Sequence, residues 1–356
     1  MSKPTVIHVV GTGTIGEPLI GILSRFRKEL GIDDVTFHKR TPLTTDRSKV
    51  TQLISKGARL AVDKDRKADF EKLGMKPDLE AIEALERATV VIDCTPIGNE
   101  MKEKVYSKLN GNIKGFIAQG SEFGFGRMYA RGINDEALRP GEDKFVQVVS
   151  CNTHNISVLV KTLGMKGGAD PGNLLEGRFL CIRRASDISQ DDDFVPSPMP
   201  DKHKDEAFGT HHAHDAFHLF ETLNLKPKLY SSALKLNSQY MHTLHFSIRT
   251  KEKVSKAGVV DRLKSHPLIA LTDKRSTNTV FSFGRDHGIF GRILSQTVIS
   301  APTLAIKDET EVVGFCFTPQ DGNSLLSSIS AAMWFIDPKT YEKKLDCLTP
   351  YFFREV

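Results

Sequence analysis

The run Val148-Val149-Ser150-Cys151-Asn152-Thr153-His154-Asn155 carries the most reactive side chain of this sequence in a position where it can act. A β-branched stretch delivers one cysteine into polar residues, and apolar residues resume at Ile156 and Val158. The pattern places a thiol where a strand stops and a helix starts, with Asn152 beginning the helix. The positive end of a helix favours the thiolate. A thiolate adds to an aldehyde, and the hemithioacetal can then release hydride and leave a thioester. A lone cysteine serves packing as readily as catalysis, so the residues by themselves leave both open.

A hydride needs an acceptor, and the N-terminal residues offer a place for one. Thr5 to Val10 reads as a buried strand, followed without a gap by Gly11-Thr12-Gly13-Thr14-Ile15-Gly16 and then by apolar residues at helical spacing. In a GxGxxG turn between strand and helix, the first glycine permits the turn and the second lets backbone approach a pyrophosphate. The third lets helix and strand pack closely, and free N–H groups at the helix start face the phosphates. A second strand, Val35 to His38, ends in Lys39-Arg40-Thr41-Pro42. Sites that prefer NAD usually have an acid there for the ribose 2′-hydroxyl; two cations and a hydroxyl favour a 2′-phosphate instead, and so NADP. The strand Thr89 to Asp93 runs into Cys94-Thr95-Pro96, whose place at a strand end puts Thr95 and Pro96 beside the cofactor and Cys94 in its wall.

Those groups need a scaffold of known type. Strands at 116–118 and 145–149 continue the strand–helix alternation, which predicts a parallel, doubly wound sheet over residues 1–150. At 356 residues the chain is long enough for two domains. Five cysteines without a CxxC pair argue against a disulfide framework or a structural zinc site. A net charge of +5 without a basic block suits small anions better than nucleic acid. No apolar run approaches the length of a membrane span, and the N-terminus enters a strand at once, so a cytoplasmic protein without membrane contact is expected.

Taken together, VGTGTIG, KRTP, VVIDCTPIG, IAQGSE and VVSCNT, followed by IRRASD, GTHHAHDA, YMHTLH and GRDHG, resemble archaeal-type (class II) glyceraldehyde-3-phosphate dehydrogenase. The resemblance implies an α/β fold: a Rossmann domain over 1–150, joined by a C-terminal helix within 324–356, and an α+β catalytic domain with a mixed sheet over 151–323. It implies NADP- or NAD-dependent oxidation of glyceraldehyde 3-phosphate, or the reverse reduction of 1,3-bisphosphoglycerate, in glycolysis or gluconeogenesis, by a homotetramer. It adds Gly120 to the cofactor site. Carried over residue by residue, Cys151 is the nucleophile, His242 the base that takes its proton, and Asn152, Thr153, Arg183, Arg184, His211 and His212 the substrate contacts. His245 is expected to orient or pack. One of the two arginines should face outward, since strand neighbours alternate.

The sequence departs from the family in three places. His154-Asn155 replace the Thr-Gly that ordinarily follows Cys-Asn-Thr, which is expected to alter the pocket for inorganic phosphate. Ala213-His214-Asp215 replace Gly-Pro-Asp, and extra residues occupy about 164–176. Water, phosphate or coenzyme A therefore stand open as acceptors. Alternatives are another thioester-forming aldehyde dehydrogenase, an acyl-thioester reductase, or a non-catalytic dinucleotide-binding regulator. His203, His211, His212, His214 and His218 lie within sixteen residues. Without an HExxH glutamate they are taken as a partly exposed polar segment and no metal site is expected. Asp191-Asp192-Asp193 reads as a solvated turn.

Overall fold

In the computed structural model the described residues are 3–109, 111–120, 122–188, 190, 194–319 and 321–356. The aspartate run 191–193 lies outside them. The chain divides into two compact units, Met1–Arg127 with Leu138–Val148 and Leu325–Thr349, and Met128–Ala137 with Val149–Ser324 and Pro350–Val356.

The first sheet consists of β1 (Val6–Val10), β2 (Asp34–His38), β3 (Arg59–Val62), β4 (Leu79–Glu80), β5 (Val90–Asp93), β6 (Gly115–Gln119), β7 (Arg127–Tyr129) and β8 (Phe145–Val148), in the order β4-β3-β2-β1-β5-β6-β8-β7, and all but the end of β7 belong to the first unit. The pairs among β1 to β6 and β8 are parallel. Buried on both faces, β1 and β5 read as continuous apolar runs rather than alternating ones. Connecting helices are α1 (Gly16–Arg25), α2 (Arg47–Ser55), α3 (Lys67–Lys72), α4 (Ala81–Arg87) and α5 (Gly98–Lys104). Strand order reverses between β1 and β5, the switch point at whose carboxyl ends such sheets bind ligands.

The second unit holds a mixed sheet, as expected. Its strands are β9 (Leu174–Arg183), β10 (Met199–Pro200), β11 (Leu229–Lys235), β12 (His242–Thr250), β13 (Ile269–Thr272), β14 (Thr297–Ser300), β15 (Ala305–Lys307) and β16 (Glu311–Thr318). Their order is β10-β11-β9-β12-β16-β14-β13, with β15 on β16. β12 is antiparallel to both β9 and β16, whereas β9 and β11 run parallel. Helices α6 (Cys151–Leu159), α7 (His211–Glu221), α8 (Lys256–Ser265) and α9 (Thr277–His287) complete the unit. Along β12 burial alternates, so His242, Leu244, Phe246 and Ile248 face the core while Thr243, His245 and Ser247 turn outward. His245 stands edge-on to Phe315 on that outer face.

The division departs from simple cuts at 150 and 324. Met128, Ala130 and Ile133 belong to the second unit's core, with Ile156 and Leu159 of α6. The last residues do too: Val356 N–H donates to Leu271 O at 2.9 Å. Helix α10 (Gly322–Ile336), expected over 324–335, carries the chain back to the first unit and is followed by α11 (Tyr341–Lys344). There Gln119 Nε2 donates to Ser328 Oγ at 2.7 Å, and Lys114 Nζ to Ile336 O at 2.7 Å. Among the described residues no helix is long and apolar enough to cross a membrane.

Candidate functional site

The glycine turn between β1 and α1 adopts the geometry a dinucleotide needs. Gly11 has φ +94°, a region other residues avoid. A Cβ on Gly16 would lie 2.1 Å from Gly11 O, so only glycine fits there, whereas a Cβ on Gly13 would meet no atom within 4 Å. Gly13 thus leaves bare backbone at an open cavity of about 500 Å³. The cavity is lined by Gly11, Gly13, Lys39, Arg40, Thr41, Thr95 and Pro96, all expected, and by His38, Lys49, Asp63 and Met101, which were not. Thr14, Ile15, Gly16 and Gly120 do not line it. Ile15 caps α1, Gly16 starts it, and Gly120, at φ +69°, donates its N–H to Val148 O.

At the end of β2, Lys39 Nζ and Lys49 Nζ both grip Asp46, at 2.7 and 2.8 Å. Partial burial works to raise the Asp46 pKa, but hydrogen bonds and charge from both lysines outweigh it and hold the carboxyl below its usual range. Asp63 pairs with His38 Nε2 at 3.3 Å. Arg40 is exposed and is engaged in no ion pair among the described residues, so it is the cation at this rim available to an anion.

In the second unit the thiol stands where expected, as the first residue of α6. Ser150 caps the helix, its Oγ accepting from Thr153 N–H at 3.3 Å and lying 2.8 Å from Thr153 Oγ1. A thiolate was expected, and the surroundings of the sulfur work against one. Burial pushes the Cys151 pKa up to about 11; Arg184 lowers it, Asp321 and Asp187 raise it, and the Asn152 N–H lowers it. Burial wins because the half-buried sulfur loses more hydration than one helix turn and one guanidinium return.

Asn152 and Thr153, expected to contact substrate, are buried and engaged in hydrogen bonds within the fold. Asn152 Nδ2 donates to His212 Nε2 at 3.2 Å, and its Oδ1 accepts from Thr318 Oγ1 at 3.0 Å. Thr153 is fully buried against its cap. His154 and Asn155 are fully buried too, so the departure from the family pattern falls inside the fold and not on a pocket wall. His154 Nδ1 donates to Ser150 O at 2.9 Å; Asn155 Nδ2 donates to Thr318 Oγ1 at 2.8 Å, and its Oδ1 accepts from Cys316 Sγ.

The two arginines separate cleanly. Arg184 is 4% exposed, its Nε donating to Ser186 O at 2.7 Å, one terminal nitrogen to Tyr240 O, and the other pairing with Asp187. Arg183 is held through one nitrogen by Asp201 at 3.0 Å and keeps further N–H groups for a ligand. Its charge reaches His211, His212 and His242. His212 is buried beneath exposed His211, ring centroids 4.0 Å apart.

His242, the first residue of β12, is buried, and burial followed by the charges of Arg184 and Arg183 drives its pKa far down. Its Nδ1 accepts the Arg184 backbone N–H at 3.1 Å. A neutral imidazole accepting at Nδ1 carries its proton on Nε2. In this arrangement His242 would offer an N–H donor at Nε2, where the sequence led to the expectation of a base.

A Rossmann-type unit with a bare glycine turn, and an α+β unit in which a thiol opens a helix among histidines and arginines, define the class: a two-unit α/β protein with a Rossmann-type sheet and a second, cysteine-bearing unit. No family model matches the chain. It is similar to proteins named glyceraldehyde-3-phosphate dehydrogenase from three archaea. The Archaeoglobus fulgidus protein is 28% identical over 224 residues, 61% of this chain and 62% of that one. The Methanobacterium bryantii protein is 27% identical over 74% of this chain and 73% of its own, and the Pyrobaculum neutrophilum protein 25% over 79% and 78%. The chain is thus similar, over three fifths to four fifths of its length, to archaeal proteins of that name.

Proposed function

We propose that this chain is an NADP-preferring dehydrogenase of glyceraldehyde 3-phosphate that works through a thioester on Cys151. The observation that carries the reading is the gathering, in one unit, of a half-buried thiol at the start of α6, a neutral His242 and an arginine with N–H groups to spare. The names of the archaeal relatives supply the substrate.

Gly11, Gly13, Thr95 and Pro96 would hold the dinucleotide, and Arg40 its 2′-phosphate. When bound, it supplies the hydride acceptor. Arg183, with His211 beside it, holds the substrate phosphate by charge-assisted hydrogen bonds. Sulfur forms a bond to the aldehyde carbon as its proton passes to solvent, and charge moves to the carbonyl oxygen. The Nε2–H of His242 stabilises that oxygen. Hydride departs from the carbon, the oxygen lone pair re-forms the carbonyl, and a thioester remains. Inorganic phosphate then attacks the thioester, expels the thiolate and yields the acyl phosphate; the reverse sequence reduces it.

Five free cysteines suit a reducing cytoplasm, and the half-exposed apolar outer face of the second unit's sheet suits a homotetramer. The test is an NADP-linked assay with glyceraldehyde 3-phosphate, run with and without inorganic phosphate. Phosphate-dependent reduction of NADP, abolished in Cys151→Ser, is expected. Full activity in that variant, or no turnover by the wild type, overturns the reading.

A further inference from the structure

A cavity of about 510 Å³ opens in the second unit away from the residues of the proposed reaction, and neither Cys151, His242 nor Arg183 lines it. Three pieces of chain meet around it: the π-helical turn Val160–Gly164 that follows α6, the residues at about 164–176 in excess of the family pattern, and the last turn of α8. Its lining is cationic. Lys161 Nζ donates to Ile133 O at 2.5 Å and lies 4.0 Å from Glu136, which leaves at least one N–H of the ammonium group for another partner. Arg262 is half-buried, and its guanidinium meets no carboxylate or other acceptor among the described residues. Lys166 and Glu252, both exposed, satisfy each other at 2.7 Å, so the one carboxylate in the lining is taken.

Neutral donors join the two cations. His266 Nδ1 accepts the Leu268 N–H at 3.2 Å, so the neutral ring carries its proton on Nε2. Burial, then the charges of Lys161 and Arg354, keep that ring neutral by lowering its pKa to about 4. Gly167 and Gly168, at φ +62° and +75°, bring the excess residues beside Lys161: a Cβ on Gly168 would lie 3.9 Å from Lys161 Cγ, whereas one on Gly167 would meet no atom within 4 Å. The Gly167 N–H is bonded to no described residue and stands bare at the cavity, as in the concave backbone sites that take anions. The carbonyls at the end of α8, which would repel an anion, are already engaged. Ser265 Oγ donates to Arg262 O at 2.8 Å, and Arg354 donates to Lys264 O at 3.3 Å and to His266 O at 2.6 Å.

We propose that this cavity is a binding site for a small phosphorylated molecule, its phosphate taken by Lys161 and Arg262. Two cations in a concave wall without a matching carboxylate concentrate anions, and a guanidinium fork fits phosphate oxygens bidentately. The volume leaves room beside the phosphate for an organic body, against which Met165 and Pro267 supply apolar wall. The excess residues thereby have a use separate from the dehydrogenase reaction.

Carbon-13 methyl NMR of the methionines in the whole chain tests this, because Met165 lines the cavity and its signal is the one lost in Met165→Leu. The probes are inorganic phosphate and sorbitol 6-phosphate, which has no carbonyl for the thiol to attack. A saturable shift of the Met165 signal at millimolar probe is expected, with affinity falling as salt is raised. Arg262→Ala should weaken binding about tenfold to a hundredfold, as for a lost hydrogen bond between charged groups. Arg262→Gln, which keeps the stem if alanine does not fold, should do likewise, and far-UV circular dichroism checks both. Arg183→Ala should leave the titration unchanged. Tighter binding of sorbitol 6-phosphate names an ester as the occupant, and tighter binding of phosphate names the free ion. No saturable shift with either probe, an unchanged affinity in both Arg262 variants, or loss of the shift in Arg183→Ala, which assigns the anion to the substrate phosphate contact, overturns the proposal.

Discussion

The reactivity of Cys151 is set by what surrounds it more than by its place at a helix start. With the thiol pushed up to about 11, the thiolate fraction below that value rises about tenfold per pH unit. Alkylation of Cys151 by iodoacetamide, followed by peptide mass spectrometry, should therefore accelerate about tenfold per unit between about pH 7 and about pH 9; a flat profile would mean a thiolate already formed at neutrality. His242 belongs to the same scale. As a donor through Nε2, its loss in His242→Ala should cost about 10²–10³ in kcat with little change in KM. His242→Gln, which keeps an N–H at similar reach, should recover part of it. A base cannot be replaced by an amide, so equal loss in both variants would restore the base role.

Among the elements, α6 begins where it does because Ser150 can cap it. Ser150→Ala removes the acceptor for Thr153 N–H and should lower stability by about 1 kcal/mol in urea unfolding. A value near zero would show the first turn to be held by the Asn152–Thr318–Asn155 hydrogen bonds instead. The end of β2 makes a second prediction. Lys39 and Lys49 share Asp46, whereas Arg40 is available, so the two neighbours should differ. Arg40→Ala should reduce the NADP-over-NAD ratio of kcat/KM by about tenfold to a hundredfold, the worth of about 1.5–3 kcal/mol for a hydrogen bond to a charged group. Lys39→Ala should change it less. An unchanged ratio in Arg40→Ala places the 2′-phosphate elsewhere.

At the scale of the molecule, the second unit's sheet turns Leu180, Ile182, Leu234 and Phe315 outward, Phe315 being 38% exposed. In the proposed homotetramer such a face would be covered; light scattering should then give a mass of four chains, and Phe315→Glu should lower it, whereas a monomeric wild type would refute the tetramer. The sequence alone determined the glycine turn, the strands ending at Val10, His38 and Asp93, the position of the thiol and the returning helix. Each of these is written in near neighbours, by periodicity, by glycine at a positive φ, or by a polar residue opening a helix. The short β3 and β4 left too faint a pattern to read, and with β3 went Asp63 of the cavity, while Lys49 on α2 reaches it only through the fold. Only the tertiary structure decided that Arg184 is spent and Arg183 is not, that His154 and Asn155 are interior, and that the Nδ1 of His242 accepts the Arg184 N–H. Those outcomes depend on which hydrogen-bonding atom meets which, and partners as far apart as Asn152 and Thr318 are brought together by the fold rather than by any local spacing.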